Sequence, residues 1–115
     1  MARTVCGSSL VKTAVHGRDP NWGRIVAAAG RSGAHFDAGA VALWLGTHQL
    51  MEAGEPIAFD RAAASAYLQD CVDGDYLQSD CVQIRLVVGD GVGQAQAWGC
   101  DLSDQYVRIN ADYTT

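Results

Sequence analysis

A chain of 115 residues that is 49% hydrophobic and 18% charged carries enough apolar surface to offset the ordering entropy of one folded domain, residues 1–115, which argues against a disordered tail or a multidomain array. Its formal charge of −5 argues against a nucleic-acid partner, because such binders place Lys and Arg where counterions sat on the phosphates. No stretch reaches the roughly 18 apolar residues of a membrane span, and the opening MARTVCGSSL lacks the basic-then-apolar order of a secretory leader, so no membrane partner is expected and the expected location is cytoplasmic.

The first predicted helix is capped by Ser8 or Ser9, carries Leu10, Val11, Ala14 and Val15 on one side, and stops at Gly17. In the next stretch, DPNWGRIVAAAG (19–30), Asp19 offers a capping oxygen and Pro20 suits the first helical position, which predicts a second helix from about Pro20 to Ala29. Gly23 and Ala27 to Ala29 leave that helix with little side chain, and Trp22 is a large anchor at its entrance; the pattern reads as a packing junction. An anion site is the alternative, since Arg18 and Arg24 flank a helix N-terminus and residues 1–31 hold five of the eight basic residues against one acid.

Val41–Leu45 reads as a buried strand, turned at Gly46-Thr47 into a second strand over Gln49–Glu52, which Gly54-Glu55-Pro56 ends. Asp60 caps a helix through about Asp70 with Ala64, Tyr67, Leu68 and Cys71 on one face, followed by a polar loop over Val72–Ser79. Asp80–Val88 alternates as a strand, and the glycine-rich run 89–93 predicts a hairpin into a partner strand over Gln94–Cys100. Those glycines join two predicted strands with no Lys-Ser/Thr after them, so they do not read as a phosphate loop. The tail starts a helix at Asp101 or Ser103 with Leu102, Tyr106, Ile109 and Tyr113 on one stripe, although Val107, Ile109 and Ala111 also alternate as in a strand. Hairpin signals outnumber any parallel crossover, which predicts an α+β fold of antiparallel strand pairs packed against helices on one side.

Cys6, Cys71, Cys81 and Cys100 form no C-x-x-C pair, and His16, His35 and His48 are scattered. No metal site is expected, and the thiols are expected to be free and mostly buried.

The stretches SSLVKTAVHGRDPNWGRIVAAAGRSG (8–33) and AWGCDLSDQYVRINADYTT (97–115) closely resemble the C-terminal part of the β chain of the ornithine acetyltransferase family, the bifunctional glutamate N-acetyltransferases of arginine biosynthesis. The resemblance runs over the whole chain. It implies a precursor that cleaves itself before an internal threonine, giving α and β chains that stay together as a heterotetramer, with the new N-terminal threonine as nucleophile. The implied reaction moves an acetyl group from N2-acetyl-L-ornithine to L-glutamate through an acetyl-threonine; some members also accept acetyl-CoA. No metal or cofactor is implied.

By the same resemblance the chain begins after the cleavage site. It is then expected to hold no catalytic residue, to be inactive alone, and to depend on the upstream α/β portion of its enzyme as partner. Thr4, three residues in, does not replace the missing nucleophile. What carries over is substrate binding by Asn110 and Thr115, matched within the INADYTT tail. An amide can both donate to and accept from an amino acid's α-groups, and a terminal residue adds a hydroxyl and a carboxylate. No catalytic role passes to the DPNWGR segment, which is expected to fix packing, and His16 departs from the family at a position where a small or aromatic residue is expected. The alternative reading is a non-catalytic amino-acid-binding or interaction module derived from such an enzyme.

Overall fold

The structure, a computed structural model, describes residues 1–78 and 80–113. Its first helix, α1 (Ala2–Cys6), has no counterpart in the sequence pattern: five residues without a side-chain cap are too few to show a period. Helix α2 (Ser9–His16) follows as expected, with the Ser8 hydroxyl accepting from the Val11 N–H and the chain leaving the helix at Gly17.

Helix α3 (Trp22–Gly30) starts two residues later than Asp19 and Pro20 suggest. Asn21 is the N-cap, its Oδ1 accepting from the Arg24 N–H at 3.0 Å, while its Nδ2 donates to Asp19 Oδ2 at 2.9 Å. Arg18 adopts a left-handed φ of 57°, which turns the chain sharply after α2, so Asp19 and Pro20 belong to the elbow and the second side-chain oxygen in line takes the cap. Ile25, Ala28 and Ala29 are the buried face of α3.

Strands β1 (Ala42–Leu45) and β2 (His48–Glu52) pair antiparallel through the Gly46-Thr47 turn. An irregularity in register between Leu43 and Trp44 accompanies adjacent buried residues Leu50 and Met51. Glu55-Pro56, expected only to break the chain, forms a two-residue edge strand, β3, against β2. Pro is tolerated there because an edge has a side that needs no donor. Helix α4 (Arg61–Asp73) is capped by Asp60 as expected but runs three residues past Asp70, into the predicted loop, where a 3₁₀ turn also forms over Tyr76–Gln78.

Strand β4 (Ile84–Val87) pairs with β1 across the register Ala42–Val87 to Leu45–Ile84, giving a sheet of order β3-β2-β1-β4. The expected hairpin to residues 94–100 is not formed; that segment has no strand assignment. Pairing β4 with β1 instead satisfies the backbone groups along a strand whose Leu43 and Leu45 are fully buried, and which would otherwise lack donors and acceptors on that side. Residues 97–102 lie along the helices: Cys6 Sγ donates to the Ala97 carbonyl at 3.4 Å, the Leu102 N–H bonds the Lys12 carbonyl, and His16 Nδ1 sits 2.9 Å from Asp101 Oδ2. Helix α5 (Asp104–Asp112) ends the described chain.

The core joins Val5, Val11, Ile25, Ala28, Ala29 and Leu68 from α1 to α4 with Leu43, Leu45, Leu50 and Met51 from the sheet. This is the expected α+β arrangement of helices on an antiparallel sheet. On β1 and β4, Trp44 pairs in register with Arg85, whose guanidinium carbon lies 4.8 Å from the indole centroid.

Candidate functional site

Helix α5 carries the one sequence-predicted site residue that the structure describes. Ser103 Oγ accepts from the Tyr106 N–H at 2.9 Å and Asp104 stands in the first turn, where a carboxylate suits the helix dipole. Two turns in, Asn110 Nδ2 donates to the Tyr106 carbonyl at 2.9 Å. That uses one of its two amide hydrogens; no other side-chain hydrogen bond of Asn110 falls among the described residues, and the residue is exposed. Thr115, the other expected substrate contact, lies outside the described residues.

No residue of α5 is buried. Tyr106 is 57% exposed, Ile109 58% and Tyr113 73%, and Trp98, just upstream, is 82% exposed. Of the stripe read from the sequence, Leu102 lies before the helix begins, and Tyr106, Ile109 and Tyr113 are left exposed among the described residues. A helix of nine residues is shorter than the roughly 12–15 at which isolated helices become marginally stable in water.

Two cavities lie elsewhere. One, of about 420 Å³, opens between the β1–β2 turn and the end of α4, with Thr47, Tyr67 and Gln83 on its wall. There the Tyr67 hydroxyl accepts from the Gln83 N–H at 2.9 Å, and burial pushes both the Tyr67 phenol and the Cys71 thiol above their ordinary values. The other, of about 390 Å³, is a groove between α1–α2, the lead-in to β4 and residues 97–101, walled by Lys12, Trp98, Asp101 and all four cysteines. Asn110 lines neither cavity, so the structure does not join it to a pocket.

The cysteines correct one expectation. Cys6 and Cys71 are half-buried, Cys81 and Cys100 are exposed, and all are free thiols. Their meeting in one groove was not legible from their positions at 6, 71, 81 and 100, because the contacts between α1 and residues 97–99 have no local signal. Among the described residues no three His, Cys, Asp or Glu side chains are grouped as metal ligands, and no helix is long and apolar enough to cross a membrane.

The DPNWGR segment is a clamp. Arg24 donates to the Leu10 carbonyl at 3.0 Å and approaches Thr13 Oγ1 at 3.4 Å, fastening α3 to α2, and Asp19 meets Arg61 of α4 at 3.6 Å. With its guanidinium turned to a neighbouring helix, Arg24 serves the packing reading over the anion reading. Trp22 is only partly covered, at 36% exposed. His16 holds Asp101 across a 2.9 Å contact.

Fold and surface together define an α+β layer of helices on an antiparallel sheet, with its last described helix exposed. The chain belongs to the ArgJ family, whose profile it matches over residues 1–115. It is similar over all 115 residues to the arginine biosynthesis bifunctional proteins ArgJ of Prochlorococcus marinus strain MIT 9313, at 79% identity, and Parasynechococcus marenigrum strain WH8102, at 67%. The chain spans 27% and 26% of the lengths of these two relatives. The crystal structure of the arginine biosynthesis bifunctional protein argJ from Bacillus halodurans is similar with a TM-score of 0.86 at 40% identity, over 97% of this chain and 49% of the crystallised one.

Proposed function

We propose that these 115 residues act as one unit, the C-terminal part of the β chain of a glutamate N-acetyltransferase that moves an acetyl group from N2-acetyl-L-ornithine to L-glutamate through an acetyl-threonine. The nucleophilic threonine lies outside this chain, which supplies scaffold and, through Asn110 and Thr115, substrate contacts. The upstream α/β portion of the same enzyme is its partner, and the assembly works in the cytoplasm.

The observation that carries this reading is the match to a protein named for arginine biosynthesis that covers every residue here at 79% identity yet fills only 27% of that relative. Two further observations support it. The chain fills 49% of the Bacillus halodurans crystal chain, so that chain is about half the length of the Prochlorococcus relative, as a protein cleaved into two chains requires. The exposed stripe of α5 beside Asn110 is the surface that an adjoining portion would cover.

The test is acetyl transfer from N2-acetyl-L-ornithine to glutamate, measured with this chain alone, with the separately produced upstream portion alone, and with the two combined. Activity only in the combination is expected. Activity in the chain alone would mean that the nucleophile is misplaced; silence in the mixture, with the upstream portion shown to be folded, would favour a non-catalytic module.

A further inference from the structure

Nine residues lie between Cys71, in the last turns of α4, and Cys81, just before β4, and the fold turns this stretch back on itself. A Cβ placed on Gly74 would stand 2.7 Å from Asp80 Cβ. The Asp75 N–H donates to Asp80 Oδ2 at 2.9 Å, and the Asp80 N–H returns to the Asp75 carbonyl. Tyr67 stands between the two ends: it shares one cavity wall with Cys71 and Cys81, and its hydroxyl accepts from the Gln83 N–H two residues past Cys81. Cys71 and Cys81 accordingly wall both cavities together. Residues 80–83 belong to no strand, since the ladder starts at Ile84, so Cys81 has room to adjust to the Cα separation of about 4.4–6.8 Å that a disulfide requires.

We propose that Cys71 and Cys81 are a reversible thiol pair, oxidised by a peroxide to an intrachain disulfide that ties the end of α4 to the lead-in of β4. Cys81, the exposed member, reacts first. Its thiolate attacks one oxygen of hydrogen peroxide, the O–O bond breaks, and the departing hydroxide takes up a proton to leave as water, giving a sulfenic acid at Cys81. The Cys71 sulfur then attacks the Cys81 sulfur, its proton goes to the leaving oxygen, and a second water departs. Two thiols are oxidised and one peroxide is reduced to two waters. Burial, which raises the Cys71 thiol above its ordinary value, suits it to this second, resolving step and disfavours it for the first. Thiols in a reducing compartment that form transient disulfides are a recognised class of sensor, and the bridge here would brace the wall shared by both cavities.

The experiment exposes the whole protein containing this chain to hydrogen peroxide, alkylates the remaining thiols, and digests it with trypsin without reductant. No Lys or Arg lies between Arg61 and Arg85, so one peptide, 62–85, holds both cysteines. The expected peptide is lighter by two hydrogens, carries no alkyl group, stays joined after chymotryptic cleavage within the loop, and regains two alkylatable thiols after dithiothreitol. A Cys6→Ser/Cys100→Ser variant keeps that result, Cys71→Ser drives Cys81 on to sulfinic acid, and Cys81→Ser leaves Cys71 alkylatable. The proposal is overturned if Cys71 and Cys81 remain separately alkylatable in the wild type, or if the disulfide found joins Cys6 to Cys100 or one chain to another. None of these readouts uses acetyl transfer, so the proposal stands or falls apart from the assigned activity.

Discussion

Replacing Gly46 by alanine tests the turn that sets β1 against β2 and seats Tyr67. Gly46 has φ +55°, and a Cβ there would lie 2.7 Å from Tyr67 Cζ and 2.9 Å from Cε2. A left-handed alanine costs about 1–2 kcal/mol, of which about 0.5 kcal/mol is returned by the stiffer unfolded chain. The ring must also swing aside, breaking the Tyr67 hydroxyl's bond to the Gln83 N–H, a loss of about 1 kcal/mol, with a similar loss of packing. The sum is about 2.5–3.5 kcal/mol, a large share of the roughly 5–15 kcal/mol that holds a domain folded. Urea unfolding followed by circular dichroism should show a lower midpoint with an unchanged slope. Combining Gly46→Ala with Tyr67→Ala removes the clash, so the two effects should fall short of additivity by about 2 kcal/mol. A single-mutant loss under about 0.5 kcal/mol, or strict additivity, would refute the reasoning from that close contact.

Other outcomes follow from the same geometry. Leu68→Ala, at a fully buried position between α4 and the sheet, should cost about 2–5 kcal/mol in the same urea assay, as deletions leaving a cavity do. Asn110→Ala should leave unfolding unchanged, because its side chain is exposed and alanine suits a helix, yet raise KM for an amino-acid substrate of the assembled enzyme about threefold to tenfold, the worth of one hydrogen bond. Unchanged KM in steady-state kinetics would remove Asn110 from the site. Because Cys71 and Tyr67 are raised above ordinary values of 9.0 and 10.0, the folded state holds these protons more tightly than the unfolded one. Their contribution is full below pH 9.0 and is lost as pH rises through the folded values. Thermal melts from pH 8 to pH 11 should show that decline, and Cys71→Ser with Tyr67→Phe should flatten it.

Local chemistry made α2, α4 and α5 legible: each begins at a Ser or Asp whose oxygen takes a backbone N–H three residues on, at Ser8, Asp60 and Ser103. The β1–β2 hairpin was equally local. What escaped depends on distance in the chain. Asp19 and Asn21 are both good caps, and the left-handed Arg18 elbow, which no residue type announces, decides between them. Strand β4 alternates as read, but its partner is β1, some 40 residues back, and not the segment after the glycines. As for the site, Asn110 is an unremarkable asparagine by composition and spacing; only the resemblance marks it.

The strand order has a further consequence for the route by which the chain folds. Strands β1, β2 and β3 meet through turns of two residues and can zip as a meander at small entropic cost. Strand β4 must close a loop that includes the whole of α4 before it gains its first bond to β1. The meander is therefore expected to form first, with α4, docked through Leu68, bringing in the last strand. Amide protons of β4 on that account open more readily than those shared by β1 and β2, and the edge of β1 is where an incompletely folded chain is most open to mispairing.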